Sequence, residues 1–68
     1  MMVVHIYVDG STIDVWSDKG LGSNWLIYHI LAAFDCIYQY GHWLCENVDV
    51  HEFMQRLLAA LRRHGIPY

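Results

Sequence analysis

Residues 3–16 alternate between apolar and polar side chains on either side of Asp9-Gly10. Strict alternation is the mark of a half-buried strand, and an Asp-Gly step between two such runs is a strong local signal for a β-hairpin. With Asp9 and Gly10 as the loop, Val8 faces Ser11, Tyr7 faces Thr12, Ile6 faces Ile13, His5 faces Asp14, Val4 faces Val15 and Val3 faces Trp16. One face is then Val4, Ile6, Val8, Ile13 and Val15, wholly apolar. The other carries Val3, His5, Tyr7, Thr12, Asp14 and Trp16. A register that also sorts the side chains is doubly supported.

The period then changes. Leu26, Ile27, Ile30, Leu31, Phe34, Ile37 and Tyr38 recur at helical spacing, which predicts a helix from Ser23 or Asn24 as N-cap to about Tyr40, stopped by Gly41. Its other side holds Trp25, Tyr28, His29, Ala32, Asp35, Cys36 and Gln39. Residues 42–48 read as a short strand or extended segment. A second helix starts at Asp49, whose carboxylate caps it in a capping-box-like arrangement with Glu52. Val50, Phe53, Met54, Leu57, Leu58 and Leu61 form its apolar stripe. Arg62, Arg63 and His64 suit the negative end of its dipole, and Gly65 ends it. The expected fold is one α+β domain over residues 1–68, an N-terminal hairpin packed against two α-helices. A bare two-stranded sheet is marginal. Either residues 42–48 add a strand, or sheets from two copies join at an edge.

Composition sharpens this picture. The chain has 68 residues, of which 56% are hydrophobic, against about 45–50% in a typical soluble domain, although that figure counts Gly and not Tyr. A chain this short buries only about 60% of its unfolded surface. The excess apolar surface therefore points to an interface, with a second copy or with a partner. Residues 25–44 are apolar enough to raise the question of a membrane span. His29, Asp35, Gln39, Gly41 and His42 interrupt them, and a central Asp costs about 2.5–3.5 kcal/mol in a membrane. A buried helix is the expectation. No secretory signal is visible, and two cysteines are too few for a disulfide framework. The expectation is a cytoplasmic protein with free thiols.

Net charge is −3, and its distribution matters more. Asp9, Asp14, Asp18, Asp35, Glu46, Asp49 and Glu52 all lie within residues 1–52, with Lys19 as the one base there. Arg56, Arg62 and Arg63 lie in the final helix. An acidic body argues against a broad phosphate footprint on nucleic acid and suits a basic protein partner.

No motif specifies a reaction. Cys36, His42, Cys45 and His51 have zinc-ligand chemistry but lack the closely paired ligands of common zinc modules, so no metal is assigned. His5 beside Asp14 could orient a general base, but on an open sheet face with no nucleophile. Gly20-x-Gly22 before a helix lacks the parallel strand unit of a phosphate loop. The string Ile6-Tyr7-Val8-Asp9-Gly10-Ser11 resembles the first-strand signature of ribonuclease H-like nucleases. Those enzymes need further carboxylates on later elements of a larger sheet, and the hairpin turn accounts for the same residues. No cofactor, catalytic residue or enzymatic activity is expected.

The reading is a small acidic interaction protein, an inhibitor or decoy for a basic surface of a larger, nucleic-acid-handling protein. In size, acidity and lack of chemistry it is similar in type to phage inhibitors of host defence such as anti-CRISPR proteins. Asp9, Asp14, Trp16, Asp18, Glu46 and Asp49 are the expected partner-binding residues, and Tyr7, Trp25 and Tyr28 the expected self-association residues. The alternatives are a homodimeric regulatory or structural module and a weak nucleic-acid-binding regulator using the Arg-bearing helix.

Overall fold

In the computed structural model, which describes residues 2–68, the elements run β1 (His5–Asp9), β2 (Thr12–Trp16), a 3-10 turn (Leu21–Ser23), α1 (Trp25–Ala33), β3 (Ile37–Gln39), β4 (His42–Cys45) and α2 (Val50–Arg63). The strands form one antiparallel sheet in the order β1-β2-β4-β3. The fold is α+β, as the alternation and the helical stripes required.

The hairpin pairs Ile6 with Val15, Tyr7 with Asp14, Val8 with Ile13 and Asp9 with Thr12. The expected register, with Ile6 opposite Ile13 and His5 opposite Asp14, is thus corrected: His5 lies opposite Trp16. The loop is Gly10-Ser11, and Gly10 has φ 61. Glycine with positive φ at the first central position suits the type II′ hairpin loop, whereas Asp-Gly as the loop would need positive φ at both. The shift is an even number of residues, so every side chain keeps its expected face.

The second correction concerns residues 34–41. The α1 helix begins as expected, with the Asn24 side chain accepting hydrogen bonds from the Leu26 and Ile27 amides at 3.1 Å. It stops at Ala33, well before Tyr40. Asp35 adopts φ 56 there, and the amides of Asp35 and Cys36 bond back to the carbonyls of Ala32 and Leu31. That is the Schellman arrangement, with Asp in the place glycine usually takes. Ile37 and Tyr38, counted above in the helical stripe, belong to β3 instead. Gly41 does not stop a helix. With Tyr40 at φ 52 and Gly41 at φ 82, it turns β3 into β4. Gly65, by contrast, ends α2 as expected, the Ile66 amide reaching the Leu61 carbonyl at 2.9 Å.

Both helices cover one face of the sheet. Ile13, Val15 and Cys45 from the strands meet Leu21, Ile27, Leu31, Phe53, Leu57 and Leu61, all buried. Asp49 caps α2 by accepting the Glu52 amide at 3.1 Å. Continuing the β3–β4 register past Ile37 places Cys36 opposite Cys45, and the two are joined in a disulfide with Cα atoms 4.2 Å apart. The expectation of free thiols is thereby corrected, and with it goes the thiol-based argument for a reducing compartment. The zinc alternative loses both thiolates. Among the described residues no helix is long and apolar enough to cross a membrane.

The disulfide closes a short loop by joining the two ends of the second hairpin, with Cys45 buried in the core. Reduction, or the double variant Cys36→Ala/Cys45→Ala, is expected to lower stability by about 2–3 kcal/mol. Urea unfolding with and without reductant measures it. An unchanged midpoint would mean that the bond holds nothing the sheet does not already hold.

Candidate functional site: the uncovered face of the sheet

Period-two alternation sends every second side chain away from the helices. On β1 these are His5, Tyr7 and Asp9, on β2 Thr12, Asp14 and Trp16, on β4 His42 and Leu44, and on β3 Ile37 and Gln39. The registers align them in rows across the sheet. One row reads His5, Trp16, His42, Gln39, and the next reads Tyr7, Asp14, Leu44, Ile37. No secondary-structure element covers this face among the described residues.

The first row is an aromatic stack. The Trp16 indole lies between two imidazoles, with ring centroids 5.3 Å from His5 and 4.7 Å from His42, the latter pair tilted by only 10°. Both contacts follow from direct cross-strand opposition, the position at which aromatic pairs gain most. The Nδ1 atom of His42 lies 3.0 Å from a carboxylate oxygen of Asp14. The carboxylate thus holds the ring in its stacked orientation. Both side chains remain partly exposed, so the pair contributes at most about 1 kcal/mol. Trp16 is half-buried by its neighbours, whereas Tyr7 is 62% exposed and Tyr40, in the β3–β4 turn, 95%.

The structure separates the residues singled out from the sequence into three groups. Tyr7, Asp9, Asp14 and Trp16 share the uncovered face, and exposed Glu46 follows β4 at the end of the sheet where Asp9 lies. Asp18 is exposed in the loop after β2. Asp49 sits apart, its carboxylate engaged in capping α2. Trp25 and Tyr28 lie on α1, in the opposite layer. Trp25 is 72% exposed and edge-on to His29, and Tyr28 rests edge-on against Trp43. The sequence reading missed His42 as the partner of Asp14, and Ile37, Gln39 and Leu44 as members of the face. The signal available was the alternation of Cys36-Ile-Tyr-Gln-Tyr-Gly-His-Trp-Leu-Cys45 about Tyr40-Gly41.

The arginine side chains belong to the helical layer. Arg56 and Arg63 line the groove between α1 and α2, Arg56 with its guanidinium 5.8 Å from the centre of the Phe34 ring. Arg62 donates from Nε to the Tyr68 hydroxyl at 3.0 Å. The guanidiniums thus lie behind the sheet, in the layer that also carries Asp35, Asp49 and Glu52.

Comparison with protein-family models, with curated proteins and with solved structures finds no match.

A double-mutant cycle on Asp14→Ala and His42→Ala is expected to return a coupling of about 0.3–1 kcal/mol in thermal or urea unfolding. Strict additivity would show that the pair does not orient the imidazole.

Proposed function

We propose that the chain is a non-enzymatic interaction module whose uncovered sheet face docks onto a basic surface of a larger protein, as an inhibitor or decoy. One observation carries the reading. The face left open by both helices is the face on which Asp9 and Asp14 stand beside Tyr7 and the Trp16 stack. Aromatic anchors within a charged rim are the composition of binding hot spots. The carboxylates would steer encounter with a positive groove, such as those of nucleic-acid-handling proteins. The Trp16 stack, held on both sides, is pre-ordered, so little side-chain entropy would be lost on docking.

The test compares affinity capture from the native host with the unaltered chain, with Asp9→Lys/Asp14→Lys/Glu46→Lys, and with Arg62→Glu/Arg63→Glu as a charge-reversal control. A specific protein is expected to be lost with the sheet-face variant and retained with the helix variant. Its affinity should fall roughly tenfold or more for the sheet-face variant and weaken with added salt. Retention by the sheet-face variant, or loss only with the arginine variant, would move the docking surface to the helical layer.

A further inference from the structure

The two edges of the sheet are unlike. The β3 edge strand is short, Ile37–Gln39, and runs into a tight turn at Tyr40-Gly41. The β1 edge strand is longer, His5–Asp9, with neither Pro nor Lys nor an inward charge, and the C-terminal segment hydrogen-bonds only to Val4 just before it. Its backbone polarity can be assigned. The Val4 amide donates to the Pro67 carbonyl at 2.9 Å, on the side away from β2. Alternate residues of an antiparallel strand face the same neighbour, so Ile6 and Val8 also present their N–H and C=O groups to that open side. Val8 is 43% exposed, and Val4, Ile6 and Val8 border an apolar groove whose far wall is Met54 and Leu58 of α2, with Tyr68.

We infer that the chain self-associates through this edge, the β1 strands of two copies pairing antiparallel about Tyr7 so that their sheets become continuous. The register is selected by the edge itself. Backbone polarity requires Ile6 and Val8 to face Ile6 or Val8 of the other copy. Pairing Ile6 with Ile6 would place Val4 opposite Val8 and call on the Val4 amide, which Pro67 already occupies. Pairing Ile6 with Val8 asks no hydrogen bond of that amide, since Val4 then falls opposite Gly10, beyond the end of the second copy's β1. It sets His5 opposite Asp9 of the second copy, and Tyr7 opposite Tyr7 as a close, non-hydrogen-bonded pair on the two-fold axis. Two His–Asp pairs and one Tyr–Tyr pair then line the outer face. On the inner face, Val8 of each copy lies beside Ile6 of the other, at the mouth of the apolar groove. Self-complementarity of this kind is what a two-fold interface demands. Pairing Val8 with Val8 would set Tyr7 against Asp9 and leave His5 without a carboxylate.

The test is sedimentation equilibrium over a micromolar-to-millimolar series, with amide exchange followed at single residues. The expected result is a reversible monomer–dimer equilibrium, with exchange at Ile6 and Val8 slowing as concentration rises and exchange at Tyr7 unaffected. Val8→Pro removes an amide that β2 does not use, so the chain should stay folded and lose the dimer. Should that variant unfold, the charge pair decides: Asp9→His weakens the dimer roughly tenfold, since two symmetric pairs are lost, and adding His5→Asp restores it. A chain that is monomeric throughout overturns the inference. So does a dimer that persists in folded Val8→Pro, or slowed exchange at Ile6 and Val8 that needs another protein's segment.

Discussion

Strand β2 is the constraint on which the structure depends. It lies between β1 and β4 and pairs with both along its length. Ile13 and Val15 are buried under the two helices, while Asp14 and Trp16 project from the other face. Because side chains on a strand alternate without exception, these four residues divide the molecule into a covered face and an uncovered one. The core is gathered on one side of that division and the Trp16 stack on the other.

The two hairpins that flank this division are built differently. The β1–β2 loop uses glycine at its first central position, and the β3–β4 turn uses positive φ at both Tyr40 and Gly41. Tyrosine in the left-handed region is uncommon and carries a conformational cost. The Cys36–Cys45 bond offsets it by holding the far end of the same hairpin. The 46–48 segment is in turn tied to the first hairpin, where the Val48 amide donates to the Ser11 carbonyl at 3.1 Å. The first turn is thereby fastened to a segment outside its own hairpin, and the second hairpin is closed by its own disulfide.

Legibility from sequence tracks how local each determinant is. The α2 helix could be read in full: a capping Asp49, a clean stripe through Phe53, Leu57 and Leu61, and Gly65 at its end. The faces of the first hairpin could be read because they depend on alternation, but its register could not, because faces constrain pairing only to within two residues. The end of α1 was hidden twice. Asp35 stands where glycine usually signals termination, and Ile37 and Tyr38 fit a helical stripe as well as a strand. The candidate site was legible in the same proportion. Tyr7, Asp9, Asp14 and Trp16 come from the hairpin and were found. His42, Leu44 and Ile37 come from strands that only long-range pairing creates.

The proposed function resides in a surface, the ordered aromatics and carboxylates on a sheet that both helices leave bare. Hydroxyl-radical footprinting of the chain, free and bound to its partner, tests that claim most directly. The account predicts high reactivity at Tyr7, Ile37 and Leu44 in the free chain and strong protection of all three in the complex, with Trp25 on α1 unchanged. Protection at Trp25 and Tyr28, with Tyr7 and Ile37 still reactive, would contradict it.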